Sequence, residues 1–570
     1  MHRLPVTADV YRQAALAQSW RLVSLIDRNQ FSATRGSLTR SHWAWKFGDF
    51  PFPRMQEGVY ALARLYSLPG SDNPLYGRAD VETWITWAFE NWITRQHRNG
   101  SFDEAYPHEQ CLAATAFTAF YAGQAFVLHR DHIGPPLRGR IEATLRRAGD
   151  WLVANDETHG VLSNHLAVAV AALETIARIT GSTRYAERAR YFLERILAHQ
   201  SREGWMREYD GADIGYGTHA FFYLAAYWQL TSSPDTLAAL RRFARFLSHF
   251  VHPDGTIGGE YASRNTEFYY PAGFEIMAAE CPSSAGIASR MRDAIAEQRV
   301  CGVWAMDIFN LMPMLNNLLF AMDGTPTHGA AEPVGCDRPP FSTFFPESGL
   351  WVINGDRHYA VVGLSKGGTV SLFDKQERRL AARHFGLVAV AGRQRFTTQD
   401  HTLNPAVSWT DGGCTASLDV PWKRFGETVF TPWLFLAFRV FNLSLGRLPA
   451  VSRALKKVLV HLLISRKRRP AIEHRRTIHV DGRTIVVEDE ILLPGAVGQL
   501  VVPGQFASIH MGSSLYADAR SLEQSTATSA WEVNGRVRLR GTLDLSGSRW
   551  EIQTLPAEAS APRAGSVHGS

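Results

Sequence analysis

Apolar positions in the first part of the chain recur every three or four residues, the spacing of helices that bury one face. The spacing persists to Met322 and is punctuated by turn signals such as Asn99-Gly100 and Gly181-Ser182. It predicts about twelve helices of similar length joined by short loops, over 8–28, 54–68, 79–97, 108–128, 136–156, 160–180, 182–200, 215–231, 233–252, 268–281, 284–298 and 304–321. Such helices pack as antiparallel hairpins, and five or six hairpins in a row close into an (α/α) toroid with a funnel mouth.

A different pattern follows the Gly/Pro-rich stretch between Asp323 and Ser342. Apolar and polar residues then alternate, with D-G and N-G turns between the runs. Many antiparallel strands of this kind favour a β-sandwich. The predicted organisation is multidomain, α then β: an (α/α) toroid over 1–330, an antiparallel β-sandwich over 331–556 and a disordered tail over 557–570.

One segment of the sandwich region, residues 429–469, follows neither pattern. Its first part is apolar and aromatic, and Val451–Ile464 predicts a basic amphipathic helix. The segment holds nine Lys or Arg and no Asp or Glu. Three interpretations stay open: an insertion packed on the sandwich, an in-plane anchor on an anionic membrane surface or binder of a polyanion, and a membrane-spanning segment.

That segment accounts for the basic character of the protein. The 570 residues have a net charge of +6, and the rest of the chain without those nine charges has −3, so nucleic acid is not an expected partner. Five widely spaced cysteines without a C-x-x-C indicate neither a disulfide framework nor a zinc site, and no metal or cofactor is expected. The first residues lack the apolar core of a secretory signal, which predicts a cytoplasmic location or a peripheral one at the inner membrane.

Aromatic side chains are abundant, at 11% of the chain with 16 Trp. They suit either large cores or surfaces on which sugar rings stack. Near the N-terminus, Trp43 and Trp45 are candidates for a stacking wall of the funnel, and an arm that closes the toroid is the alternative.

Polar side chains concentrate at predicted helix starts, where a funnel-mouth site would be built. In the first cluster, Tyr106, His108 and Glu109 are candidates for substrate contact, although acidic residues there also suit a helix N-terminus. In the second, Asn164 and His165 open an otherwise apolar helix. Either Ser163 or Asn164 simply caps that helix, or Asn164 hydrogen-bonds the carboxylate of an acidic sugar while His165 shares its charge or takes a proton.

The densest cluster spans residues 205–219, and the next spans 260–270. Candidates in the two clusters are Trp205, Tyr209, Asp213, Tyr216 and His219, then Arg264, Asn265 and Tyr269. Tyr216 and His219 are three residues apart and share a helix face. The guanidinium of Arg264 can bind a substrate carboxylate through two parallel hydrogen bonds, and an internal Arg–Glu pair is the alternative.

Asn, His, Tyr and Arg together suit β-elimination from a uronate. A neutral donor or a cation offsets the charge of the C6 carboxylate, which makes the C5 proton acidic enough to remove. A Tyr or His then takes that proton, and a Tyr can donate one to the departing O4. Since an unperturbed Tyr has a pKa of about 10, it needs a nearby cation such as Arg264 to act as a base.

The domain order, the Asn164-His165 helix start, the GADIGYGTH stretch and the sandwich entry FFPESGLWVINGDRHYAVVGLSKGG resemble the heparinase II/III-like polysaccharide lyases. The resemblance implies a lyase that cleaves a uronic-acid-containing polysaccharide by β-elimination. It also implies Asn164 as the neutraliser of the carboxylate and Tyr216 as the acid and base. Assisting roles are implied for His165, His219 and Arg264.

The chain also departs from that family. Many members carry an H-x-H-x-D run at the start of the sandwich, where this chain reads SKGGTVSLFDKQERR, and His384 lies further on. Two other functions stay open. One is a non-catalytic, membrane-associated factor in exopolysaccharide assembly. The other is a glycoside hydrolase that pairs carboxylates from among Asp103, Glu104, Glu208, Asp210, Asp213 and Glu260.

Overall fold

The computed structural model describes residues 6–46, 48–157, 160–209, 211–324, 331–426, 431–460, 470–481, 483–493, 498–504, 506, 528–533, 535–545 and 550–555. The predicted tail and Asp210 lie outside the described residues.

The helices are α1 (Val6–Leu16), α2 (Ser19–Leu25), α3 (Arg40–Trp43), α4 (Gly58–Ser67), α5 (Ala79–Arg95), α6 (Leu112–His129), α7 (Pro135–Ala154), α8 (Ser163–Thr180), α9 (Thr183–Ala198), α10 (Ile214–Thr231), α11 (Pro234–Leu247), α12 (Ala272–Met277), α13 (Pro282–Ala296), α14 (Ile308–Ala321), α15 (Pro432–Leu443) and α16 (Pro449–Val460). A short 3-10 helix at Pro53–Glu57 precedes α4.

Helices α4, α6, α8, α10, α12 and α14 form a closed inner ring, because each packs on the next and α14 packs on α4. Helices α1, α5, α7, α9, α11 and α13 lie outside that ring. The inner helix α6 is buried nearly all round, whereas the outer helices α9 and α11 bury one stripe and expose charged residues on the other. The ring therefore has the six hairpins at the upper end of the predicted range.

Aromatic side chains fill the centre of the ring. Tyr60 of α4 stacks on Phe320 of α14 with ring centres 4.3 Å apart, and Phe120 of α6 lies 5.9 Å from Phe320. Tyr121 and Tyr223, from α6 and α10, join their hydroxyls at 2.8 Å. Each of these hydroxyls gains a hydrogen-bond partner in a region closed to water, which is the usual requirement for a buried tyrosine.

The strands are β1 (Arg207–Glu208), β2 (Gly211–Ala212), β3 (Phe341–Phe345), β4 (Leu350–Asn354), β5 (His358–Gly363), β6 (Thr369–Asp374), β7 (Arg379–His384), β8 (Val388–Ala391), β9 (Gln394–Thr397), β10 (Val407–Thr410), β11 (Thr415–Asp419), β12 (Lys423–Phe425), β13 (Glu473–Val480), β14 (Thr484–Leu492), β15 (Gln499–Val502), β16 (Ser529–Trp531), β17 (Arg536–Asp544) and β18 (Glu551–Leu555).

After the toroid the strands form antiparallel sheets in the orders β3-β4-β5-β6-β7, β12-β9-β8-β15-β16 and β10-β11-β13-β14-β17-β18. Successive side chains of sheet β3–β7 point to opposite faces, so this sheet lies between the hydrophobic core of the toroid and that of the sandwich. Leu350 and Val352 of β4 join the core of the toroid, whereas Trp351 between them packs into the sandwich. Sheet β3–β7 therefore rests one face on the helices and the other on the last sheet.

The predicted fold class, a helical toroid followed by an antiparallel β-sandwich, is confirmed. Helix 8–28 is instead two helices, because the chain turns at Ala17-Gln18 before α2 begins. The predicted domain boundary at residue 330 falls outside the described residues and stays a prediction. Among the described helices, none combines the length and apolarity needed to cross a membrane.

Candidate active site

The start of α8 is fixed by the hairpin β1–β2. The backbone N–H of Asn164 donates to Glu208 Oε1 at 2.6 Å, and the Ser163 hydroxyl donates to the carbonyl of Arg207 at 2.7 Å. The first N–H groups of a helix lack partners within the helix and favour a negative charge, so Glu208 caps α8 from outside. Asn164 is buried, and its side-chain oxygen has no hydrogen-bond partner among the described residues.

Glu208 belongs to a buried ion cluster centred on Arg264. Arg264 Nη2 lies 2.9 Å from Glu208 Oε2, and Arg264 Nε lies 2.8 Å from Asp213 Oδ2. Asp213 also caps α10 by accepting the backbone N–H of Tyr216 at 2.9 Å. The guanidinium of Arg264 is therefore bound by two carboxylates of the chain itself, and it connects the β1–β2 hairpin at Glu208 with the start of α10 at Asp213.

Two tyrosine rings cover that guanidinium. Arg264 Cζ lies 4.4 Å from the ring centre of Tyr216 and 5.0 Å from that of Tyr209. We call Glu208, Tyr209, Asp213, Tyr216 and Arg264 the Arg264 cluster. Within it, burial and the nearby Asp213 raise the pKa of Glu208 to about 7, although Arg264 and the N–H of Asn164 act in the opposite direction. The cluster can therefore gain or lose a proton near neutral pH.

A second ion cluster, which the sequence did not predict, lies at the start of α4. Arg54 Nε contacts Glu57 Oε1 at 2.7 Å, and Arg54 Nη1 contacts Glu104 Oε1 at 2.9 Å. Burial alone would raise the pKa of Glu104, yet Arg54 and His165 lower it below its ordinary value. Arg54, Glu57 and Glu104 are called the Arg54 cluster below.

Stacked planar groups run from Arg54 into the ring of helices. Arg54 Cζ lies 4.0 Å above the ring of Phe117, which stacks on His219 at 5.5 Å. His219 stacks in turn on Tyr270 at 4.1 Å, and its Nε2 lies 2.9 Å from the hydroxyl of Tyr223. Burial, together with the charges of Arg54 and His165, lowers the pKa of His219 well below its ordinary value. His219 is therefore a neutral, packed group near neutral pH.

His165 interacts electrostatically with both ion clusters, because its proximity favours the ionised form of Glu104 in one and of Glu208 in the other. Its Nδ1 is 2.9 Å from Oε2 of the buried Glu157, and its ring contacts the edge of Phe117. A carboxylate at Nδ1 orients an imidazole and leaves Nε2 as the working nitrogen. His165 thus has the environment of an acid–base residue.

The sandwich contributes one residue that the sequence analysis did not single out, His401. Its ring is buried and lies so close to Gly211 of β2 that a Cβ there would be 2.3 Å from His401 Cε1. His384, the sandwich histidine named in the sequence analysis, lies away from this hairpin. It is buried beside Trp550, and burial together with Arg476 lowers its pKa to about 3. His401, not His384, therefore packs against the hairpin that carries Glu208 and Tyr209.

Residues of the first polar cluster build a loop at the edge of the site. Glu109 Oε2 accepts the backbone N–H groups of Glu104 and Ala105, at 3.0 and 2.6 Å, which fixes Glu104 toward Arg54. Tyr106 is buried with its ring against Phe438. His108 has a positive φ of 67°, and burial lowers the pKa of its imidazole.

The remaining candidates are spread more widely. Asn265 is buried at a positive φ of 58°, and both polar atoms of its side chain have no partner among the described residues. Trp205 donates to Glu203, and Trp43 donates to the carbonyl of Leu25. Trp45 is exposed, while Tyr269 is buried against Phe274, and burial and Glu275 raise its pKa. Geometry thus joins Asn164, His165, Tyr209, Asp213, Tyr216, His219 and Arg264 into one connected site.

The carboxylates proposed for a hydrolase are tied to other groups. Glu208 and Asp213 share Arg264, Glu104 pairs with Arg54, and Glu260 lies 3.1 Å from Arg383. Asp103 accepts the backbone N–H groups of His108 and Gln110. Within the part of the chain that the structure describes, no three His, Cys, Asp or Glu side chains are grouped to hold a metal ion.

Comparison with known proteins relates this architecture to polysaccharide lyases. Residues 49–273 match the family model of the ulvan lyase N-terminal domain. A Paenibacillus xanthan lyase has a TM-score of 0.51 at 11% identity, over 97% of this chain and 55% of that one. A Streptomyces coelicolor A3 chondroitin AC lyase, solved with chondroitin sulphate, has a TM-score of 0.50 at 11% identity, over 88% of this chain and 67% of that one. Heparinase III has a TM-score of 0.48 at 11% identity, over 88% and 72%. No curated protein matches the chain by sequence.

The predicted resemblance to polysaccharide lyases is confirmed by these matches. The chain spans only 55% of the length of the xanthan lyase, and the matched domain covers fewer than half of its 570 residues. The likeness therefore establishes the architecture, together with a match of residues 49–273 to the ulvan lyase N-terminal domain.

Proposed function

We propose that this protein is a polysaccharide lyase that cleaves a uronic-acid-containing polysaccharide by β-elimination. The observation that carries the proposal is the connected set Asn164–Glu208–Arg264–Tyr216, in which a buried amide and a tyrosine are held by one ion cluster. The match of residues 49–273 to the ulvan lyase N-terminal domain supports the same reaction class.

Asn164 is the proposed neutraliser of the substrate carboxylate. Its buried side-chain oxygen lacks a partner among the described residues, and such a group costs about 1–3 kcal/mol of stability. Rotation of the amide presents its NH₂ group at the same place, where it can donate to a carboxylate oxygen. Delocalising the carboxylate charge in this way acidifies the C5 proton.

Tyr216 is the proposed acid and base. The phenolate oxygen of Tyr216 takes the C5 proton, and the electron pair of the C5–H bond forms the C4=C5 double bond. The C4–O4 bond breaks as the Tyr216 hydroxyl returns that proton to O4. Arg264 lies on the Tyr216 ring and stabilises negative charge there. Because Glu208 and Asp213 hold the guanidinium, we assign Arg264 to positioning Tyr216, not to clamping the substrate.

His165 is the proposed second proton carrier, oriented by Glu157. His219 is assigned to packing, because its ring lies between Phe117 and Tyr270 and its Nε2 is bonded to Tyr223. His401 is assigned to the wall that the sandwich contributes beside the β1–β2 hairpin.

The test is incubation with a panel of acidic polysaccharides, followed by both ultraviolet absorbance and reducing ends. β-Elimination produces a double bond conjugated to the carboxylate, so absorbance and reducing ends should rise together. We expect Tyr216→Phe to lower kcat by about 10²–10⁴-fold and Asn164→Ala by about 10²–10³-fold. Tyr227→Phe, further along α10, is the matched control and should retain activity.

Reducing ends without the chromophore would instead indicate a hydrolase and overturn the proposal. Binding of acidic polysaccharide without either signal would indicate the non-catalytic alternative. Full activity of Tyr216→Phe with His165→Ala inactive would keep the reaction but move the proton transfer to His165.

A further inference from the structure

The insertion between β12 and β13 exposes an unusual amount of apolar surface. In α15 and the turn after it, the exposed large apolar side chains are Trp433, Leu434, Phe435, Leu436, Val440, Leu443, Leu445 and Leu448. Trp433 is 79% exposed and Leu443 is 68% exposed. Single exposed apolar residues are common, but a contiguous set of this kind marks a surface that something covers.

The same insertion is held at the mouth of the toroid. The ring of Phe438 packs edge-on against Tyr106 at 5.3 Å, and Arg439 forms an ion pair with Asp49 at 2.9 Å. From α16, the Ser452 hydroxyl donates to the carbonyl of His108 at 2.8 Å. These contacts fix one side of the insertion on the loop that carries Glu104 and on the segment of Asp49, and they leave the apolar side chains of α15 toward solvent.

The charge of the insertion has one sign. Residues 431–460 contain five Lys or Arg and no Asp or Glu. In the sequence of α16, Arg453, Lys456 and Lys457 follow one another at the three- and four-residue spacing of a helix. Apolar residues beside basic ones, without acidic residues, are typical of helices that lie in the interface of an anionic bilayer.

We propose that α15 and α16 form an interfacial element that docks onto the surface of an anionic lipid bilayer. An acidic polysaccharide would match the basic residues but would leave Trp433, Phe435 and Leu436 uncovered. A second copy of the chain would cover the apolar side chains but would bring two basic surfaces together. A bilayer satisfies both features, because its headgroups attract the cations and its acyl region accepts the apolar side chains.

Docking in this way turns the mouth of the toroid toward the bilayer, because the insertion sits on the loop of Tyr106 and His108. If the proposed lyase activity holds, the polymer is then cleaved while it lies at the membrane surface. The docking surface itself stands on the apolar and basic side chains and does not depend on that activity.

The experiment is flotation of the full chain with vesicles of phosphatidylcholine alone and with phosphatidylglycerol added. Wild type should float with the anionic vesicles and much less with the neutral ones. The variant Trp433→Ser/Phe435→Ser/Leu436→Ser should lose binding by about tenfold or more, because its apolar area is removed. The matched control is Trp20→Ser/Phe31→Ser, two exposed aromatic residues at 63% and 88% on the toroid, which should float like wild type.

Circular dichroism and lyase activity on soluble polymer should be unchanged in the triple variant, which separates lost docking from misfolding or from a wrong reaction. Failure of wild type to float with either vesicle overturns the proposal, as does equal flotation of the triple variant. Wild-type sedimentation as a dimer that the triple variant abolishes would assign the surface to a second copy. Retention on immobilised acidic polysaccharide without vesicle binding would assign it to the polymer.

Discussion

Replacing Gly211 by alanine tests how closely the sandwich approaches the candidate site. Gly211 lies in β2, and its backbone is outside the left-handed region, so alanine itself is tolerated there. A Cβ at this position would lie 2.3 Å from His401 Cε1 and 2.6 Å from His401 Nε2. The change therefore perturbs one contact, between the β1–β2 hairpin and the His401 ring.

The size of the effect follows from those distances. Carbon atoms in ordinary contact are about 3.5–4.0 Å apart, so the ring must move by more than about 1 Å. His401 is only 8% exposed, and the loop around it is held by the N–H of Thr402 donating to Ser365. Overpacking of this kind costs about 1–3 kcal/mol, and we expect Gly211→Ala to lower the free energy of unfolding by that amount.

Chemical denaturation of four proteins measures the contact: wild type, Gly211→Ala, His401→Ala and the double variant. In the His401→Ala background the new methyl group has room, so Gly211→Ala should cost less than about 0.5 kcal/mol there. Gly139→Ala is the control, because a Cβ at this helical position meets open space, and it should be neutral or slightly stabilising. Equal destabilisation by Gly211→Ala in both backgrounds would refute the proposed contact.

Three further predictions concern the Arg264 cluster and one helix cap. Arg264→Met leaves Glu208 and Asp213 buried without their cation and should lower the free energy of unfolding by about 3–5 kcal/mol. Arg264→Lys keeps a cation and should lower it by less. Equal losses in denaturant melts would contradict the role of the guanidinium in binding both carboxylates. Because the folded pKa of Glu208 is raised to about 7, its contribution to stability is complete below its ordinary pKa of about 4.3 and is lost as pH rises through about 7. The free energy of unfolding of Glu208→Gln, relative to that of wild type, should therefore rise by about 3 kcal/mol between about pH 4 and about pH 8. Melts measured across this pH range test it, and a difference that stays constant with pH would contradict the raised pKa. Asp307→Ala removes the acceptor of two backbone N–H groups at the start of α14 and should cost about 1 kcal/mol; no loss in thermal melts would exclude a capping role.

Features that depend on short-range spacing could be predicted from the sequence. Three-residue spacing placed Tyr216 and His219 on one face of α10, and the polar pair Asn164-His165 marked the start of α8. Helical periodicity predicted the toroid and strand alternation predicted the β-sandwich, because each pattern reflects which face of the helix or strand is buried.

Features that depend on closure of the ring could not be predicted. Arg54 and Glu104 are 50 residues apart and meet only because α4 and α6 are neighbours in the toroid. Arg264 binds partners that are 51 and 56 residues away in the sequence. The sequence alone therefore could not decide between an internal ion cluster and binding of a substrate carboxylate as its role. His401 stands in a polar loop without any periodic signal, and only the packing of the sandwich on Gly211 distinguishes it.

The aromatic packing at the centre of the toroid has a consequence for how a polymer can move. Tyr60, Phe120, Tyr223 and Phe320 come from different inner helices and meet on the axis of the ring, so the ring is not a pore. A glycan chain cannot be threaded through it and drawn out on the far side. Under the proposed lyase function, the polymer arrives and departs on the side of the mouth, either lying across it or inserting one end. The length of the first products released from a long polymer would then distinguish these two modes of attack.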